Sequence, residues 1–97
     1  MKVNPDHFEI LRKIQKKPDS TQRELASELG FSLGKLNYCL VALKNKGLIK
    51  MQNFKKNPNK FNYVYSITPK GIALRTRLTI SFMKKKMQEY DELEKEL

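Results

Sequence analysis

Thr21-Gln22-Arg23-Glu24-Leu25-Ala26-Ser27-Glu28-Leu29-Gly30-Phe31-Ser32-Leu33-Gly34-Lys35-Leu36-Asn37-Tyr38-Cys39-Leu40 reads as two helices joined by a tight turn. Thr21 with Glu24 three residues on is a capping box that opens the first of them. Leu25 and Leu29 lie one turn apart on its buried side. The small Ala26 sits where the two helices must approach closely, and Gly30 sits where the turn needs a residue that tolerates positive φ. The second helix runs from about Ser32 to Lys46 with an apolar stripe of Leu36, Cys39, Leu40 and Leu43, and Gly47 is its natural stop. The spacing predicts a helix-turn-helix, a unit whose second helix enters a DNA major groove.

Working outward, Asn4-Pro5 is a capping side chain followed by proline at the first helical position. Phe8, Leu11 and Ile14 then recur at three-residue spacing, which places a helix from about Pro5 to Lys17, broken by Pro18-Asp19-Ser20. After Gly47, Leu48 to Phe54 reads as a short strand and Lys55-Lys56-Asn57-Pro58-Asn59-Lys60 as a polar turn. Phe61 to Ile67 alternates Phe61, Tyr63, Tyr65 and Ile67 against Asn62, Val64 and Ser66, the period of a second strand, so the two strands make a hairpin. Thr68-Pro69 repeats the cap-then-proline start. The helix after it meets no breaker beyond Gly71 in its first turn, predicting about 29 residues or roughly 43 Å. The fold class is mainly α with a small β-hairpin: a winged helix-turn-helix over residues 1–71, followed by a long C-terminal helix over residues 72–97.

The 97 residues hold 20 Lys and Arg against 10 Asp and Glu, a formal charge of +10. The excess is uneven. Residues 1–88 carry all the basic residues but Lys95, whereas Glu89, Asp91, Glu92, Glu94 and Glu96 crowd the end. A basic body favours a polyanionic partner, nucleic acid before an anionic membrane, and the acidic end is expected to lie away from it. The single cysteine, Cys39, excludes an internal disulfide framework and suits the cytoplasm. No apolar run is long enough to span a bilayer, and Met1 to Asp6 lacks the apolar core of a signal peptide.

With the core stripe of the second helix of the unit at Leu36, Leu40 and Leu43, its opposite side carries Gly34, Tyr38, Val41 and Asn45, flanked by Lys35, Asn37 and Ala42. Ser32 caps the helix and turns its free N–H groups toward a phosphate. Gly34 lets the backbone approach DNA closely. Asn37 has the two-point geometry that reads adenine, Lys35 reaches guanine or phosphate, and Tyr38 reaches phosphate or a thymine methyl, or else packs on the hairpin. Gln22 and Arg23, opening the preceding helix, are placed for phosphates. Lys55, Lys56, Asn57 and Lys60 form a basic wing tip for the backbone or minor groove, against the plain reading of a solvated Lys-rich turn. Cys39 falls on the core stripe, and His7 stands alone on a helix surface. No metal cluster, phosphate loop or nucleophile–base pair is visible, so no cofactor and no enzymatic activity are expected.

The residues Thr21 to Ala26, Leu33 to Leu40, Lys46-Gly47, Asn53-Phe54-Lys55, Ile67-Thr68-Pro69-Lys70-Gly71 and Leu78-Thr79 together resemble a small MarR-type regulator, of the group associated with exopolysaccharide gene clusters. The resemblance covers nearly the whole chain. It implies control of transcription, and with it a link to exopolysaccharide genes. Larger MarR proteins carry further helices at both ends and often an Asp-x-Arg wing signature, where this chain has Lys55-Lys56-Asn57-Pro58; whether a small-molecule effector exists is left open.

In the last helix Ile80, Met83, Met87, Tyr90, Leu93 and Leu97 recur at three- and four-residue steps, a short coiled-coil-like stripe. The expectation is a homodimer through this helix, with Lys84–Lys86 pairing with Glu89–Glu94 across antiparallel or staggered partners, on a pseudo-palindromic operator. A frayed amphipathic tail is the plainer reading. The other readings of the whole chain are a winged-helix protein-interaction module and a non-specific nucleic-acid binder.

Overall fold

The computed structural model describes residues 4–53 and 63–97. Along them run α1 (Pro5–Lys16), β1 (Ser20–Thr21), α2 (Gln22–Leu29), α3 (Leu33–Asn45), β2 (Ile49–Asn53), β3 (Tyr63–Ile67) and α4 (Pro69–Lys95). Every helix starts at the capping residue its sequence supplies. Asn4 Oδ1 accepts from the Asp6 N–H at 2.9 Å, Thr21 Oγ1 from Glu24 at 3.2 Å, Ser32 Oγ from Lys35 at 3.1 Å and Thr68 Oγ1 from Gly71 at 3.0 Å. Each cap satisfies one N–H that the helix itself leaves unpaired. Gly30 ends α2 at φ +70°, a left-handed conformation that a Cβ would strain, and so turns the chain sharply into α3.

α1, α2 and α3 bury one stripe each on a common core. Ile10, Leu11, Ile14, Leu25, Leu36 and Leu43 are its fully buried members, closed by Leu48, Ile49 and Tyr65 from the strands. Phe8, read as part of the α1 stripe, is only half-buried; it turns instead to α4 and meets Phe82 edge-on, with ring centroids 5.0 Å apart. Outside the core, Lys17 holds α1 to α2 through exposed ion pairs with Glu28 at 3.2 Å and Glu24 at 3.7 Å, a type of contact that adds little stability.

The sheet has three strands, not the two of the expected hairpin. Its order is β1-β3-β2, antiparallel throughout. The segment read as a plain breaker folds back after Asp19, which takes φ +62°, and Ser20 and Thr21 pair with Tyr65 and Val64. Ser20 is buried, its hydroxyl donating to the Lys17 carbonyl at 2.6 Å. The third strand also explains why the alternation read for Phe61–Ile67 fails at its centre. Tyr65 is buried in the core, and Val64, on the other face of this middle strand, is buried with Thr21 on one side and Gln52 on the other.

The end of α3, the start of β2, the end of β3 and the start of α4 are tied together at one point. Thr68 Oγ1 accepts the cap from Gly71 and donates to the Gly47 carbonyl at 2.7 Å, while the Thr68 N–H donates to Leu48 O at 3.1 Å. A Cβ on Gly71 would stand 2.2 Å from Leu48 O and 2.7 Å from Ile67 Cγ1, so only glycine lets α4 seat here. From this seat α4 runs about 40 Å. It packs on α1 as far as Phe82, and every residue from Phe82 onward is exposed, which gives the molecule extents of 61 × 25 × 21 Å. Among the described residues no helix is long and apolar enough to cross a membrane, and no group of three or more His, Cys, Asp or Glu is placed to hold a metal ion.

Candidate nucleic-acid interface

The starts of α2 and α3 lie side by side, because Gln22 at the first position of α2 donates from Nε2 to the Leu33 carbonyl at 3.4 Å. Gln22 therefore braces the two helices as well as facing outward, while Arg23 beside it is exposed. Ser32 Oγ takes the Lys35 N–H and Ser32 O takes that of Leu36. Among the described residues the N–H groups of Leu33 and Gly34 have no partner, and they are directed out of the positive end of the helix.

From this end the outer face of α3 is open along its length. Tyr38 is 77% exposed, which excludes packing against the sheet, and Gly34, Asn37, Val41 and Asn45 are exposed with it. Gly34 has no internal reason to be glycine: a Cβ there meets nothing within 4 Å, and its φ is ordinary. Gly34→Ala is expected to raise stability by about 0.5 kcal/mol, since glycine in a helix is the costlier residue. The same change should weaken any partner that approaches this backbone closely. Thermal melts and binding isotherms of the one variant read both signs.

Lys35 is exposed but not free. Its Nζ lies 3.2 Å from Asp6 Oδ2, at the start of α1, and 4.1 Å from the centre of the Phe31 ring. An anion on this face would have to compete with Asp6 for the ammonium, a pairing within the candidate interface that sequence reading missed. No local pattern links positions 29 residues apart. Leu33 and Val41, 52% and 48% exposed, were also left out of the expected site, although the helical arithmetic had already put Val41 on the outer face. Leu33 falls within the arc of the core stripe, but at the first position of α3 it precedes the residues that would cover it. The expected wing contacts Lys55, Lys56, Asn57 and Lys60 lie outside the described residues.

Two titratable groups near this face are set by burial. The Cys39 thiol is pushed up, first by burial and then by Asp6, which keeps it a neutral core side chain. His7 is held below its ordinary value of 6.5, first by burial and then by the positive charge of Lys46. Folding therefore favours the neutral imidazole. Stability should fall as pH drops through 6.5 toward the lower folded value, and His7→Gln should flatten that slope in urea melts between pH 7 and 5.

Residues 7–50 match the sequence family described as winged helix-turn-helix DNA-binding, and this span holds most of α1, all of β1, α2 and α3, and the start of β2. The fold is a winged helix-turn-helix. Solved structures of the same winged helix-turn-helix architecture include MarR from E. coli in a mutant form, at 25% identity and a TM-score of 0.81 over 90% of this chain and 62% of that one. FabT of Streptococcus pneumoniae in complex with DNA matches at 23% identity and 0.75, over 93% and 61%. MepR of S. aureus in complex with DNA matches at 17% and 0.78, over 93% and 65%. The structural matches include MarR-family transcription regulators, and this chain spans about three-fifths of the length of the solved proteins it resembles. A comparison with curated protein sequences found no match.

Proposed function

We propose that this winged helix-turn-helix is a sequence-specific regulator of transcription that binds double-stranded DNA as a homodimer in the cytoplasm. The observation that carries the proposal is the outer face of α3. It presents Asn37, Tyr38 and Gly34 to solvent, beside two helix-start N–H groups that have no partner among the described residues. Those residue types supply base reading, backbone contact and close approach in one strip. The +10 charge supplies the sequence-independent attraction, and FabT and MepR have been solved with DNA on the same fold. In this reading Lys35, Asn37 and Tyr38 face the major groove, with Ser32, Gln22, Arg23 and Asn45 toward phosphates. The wing residues Lys55, Lys56, Asn57 and Lys60 would follow the backbone or minor groove. Residues 72–97 serve as the dimerisation helix. The resemblance to the exopolysaccharide-associated group extends the proposal to those genes.

Selection of bound duplexes from a random library at physiological salt tests it. An enriched inverted repeat is the expected result. Binding without enrichment would point to a non-specific binder, and no retained DNA to a protein-interaction module; either would overturn the proposal. On the selected site, Asn37→Ala should cost about 1–3 kcal/mol and relax the preference at one base pair. A variant that keeps the full preference would remove Asn37 as a base reader.

A further inference from the structure

α4 leaves an apolar trench uncovered where it crosses α1. The trench encloses about 440 Å³ over a floor of Phe8, Phe82, Met83, Met87 and Tyr90. Arg12, Arg75 and Lys86 stand on its rim, and the Arg75 Nε is shielded from solvent with no acceptor among the described residues. Past the trench the same face of the helix continues. The trench residues Met83, Met87 and Tyr90 are themselves 58%, 63% and 72% exposed, and beyond them Leu97 is fully exposed. An apolar strip this long on one helix needs a second surface.

The charges along the helix say which surface and in which direction. Lys84, Lys85 and Lys86 come first, followed by Glu89, Asp91, Glu92, Glu94 and Glu96. Only Lys86 is paired among the described residues, with Glu89 in its own helix at 3.2 Å and with both groups exposed. The steps Ile80, Met83, Met87, Tyr90 would next fall on Glu94 and then Leu97. Two parallel helices in register would therefore hold the two lysine runs at one level and set Glu94 against Glu94 in the seam. Reversing one helix about a two-fold axis between Gln88 and Glu89 removes both conflicts. Ile80 then faces the partner's Leu97, Met87 faces the partner's Tyr90, and Lys84–Lys86 run along the partner's Asp91 and Glu92. Glu94 of each chain lands beside the lysines and the trench rim of the other.

We propose that the trench and outer stripe of α4 receive the α4 of a second copy running antiparallel, with the acidic turns of each helix laid along Lys84–Lys86 of the other. This rests on the dimer reading above and adds its orientation and register.

Cross-linking of the full chain tests it, with light scattering done first. The unsubstituted chain, whose Cys39 is buried, serves as the blank. In the antiparallel register two copies of position 83 are offset by about 16 Å along the helix axes alone, too far for a disulfide, which needs Cα atoms within about 7 Å. Met83→Cys alone and Glu94→Cys alone should therefore stay unlinked under oxidation, while co-expressed Met83→Cys and Glu94→Cys chains should link at least ten times faster. Self-linking of either variant faster than the mixture would show parallel helices and overturn the inference. So would a dimeric mass with no link in any combination. A monomeric mass would overturn it together with the dimer reading, and the library selection would then still report separately on DNA binding.

Discussion

Gly71→Ala is expected to lower the stability of the fold by about 3 kcal/mol, the upper part of the range for forcing atoms into a packed interior. The added carbon meets Leu48 O at 2.2 Å, which is backbone and cannot swing aside, and Ile67 Cγ1 at 2.7 Å. Relief requires α4 to lift from the sheet. Lifting it breaks the Gly71-to-Thr68 cap and strains the Thr68 bonds to Gly47 and Leu48. In a domain of this size the melting temperature should fall by roughly 15 °C. Gly34→Ala is the control: the same substitution in open space should raise it. If Gly71→Ala melts within about 2 °C of the parent, the joint is far looser than its distances imply.

The second large effect is functional. Met83→Glu with Met87→Glu places two carboxylates in the exposed stripe of α4 without touching α3 or the core. Light scattering should report half the parent mass. Affinity for the selected inverted repeat should fall by about 10²–10³-fold, because the second half-site is then no longer bound by a tethered neighbour. Affinity for a single half-site should hardly change. A parent mass with unchanged repeat affinity would place the dimer contact elsewhere, and equal losses on both DNAs would mean that α4 supports the reading head itself.

The helices were legible because their ends are written locally. Asn4-Pro5, Thr21, Ser32 and Thr68-Pro69 each cap within three residues, and the stripe Leu36, Cys39, Leu40, Leu43 needs only the helical period. β1 was not legible. Two residues carry no period, and Ser20-Thr21 is a strand only because β3, more than 40 residues on, offers an open edge. The same distance hid the Asp6–Lys35 pair and the turning of Phe8 toward Phe82. The outer face of α3 followed from the position of its core stripe, so the exposure of Asn37, Tyr38 and Gly34 could be read from the sequence. What periodicity could not tell is that Lys35 is already engaged, or that Gln22 spends its amide on Leu33.

Seated by Gly71 and held on α1 as far as Phe82, α4 is a lever whose free arm runs from Phe82 to Lys95. That arm is 13 residues, so a tilt of about 5° beyond Phe82 carries the far end of the helix about 2 Å. The short arm is the strand pair that leads to the wing, fixed to α4 through Leu48 and Ile67. A movement of the sheet on docking would therefore arrive enlarged at the tip of α4. In the other direction, clamping two such tips together would restrain the angle at which each reading head is presented. If DNA and a second α4 bind as proposed, any coupling between the two ends is reciprocal, so what tightens one tightens the other by the same factor.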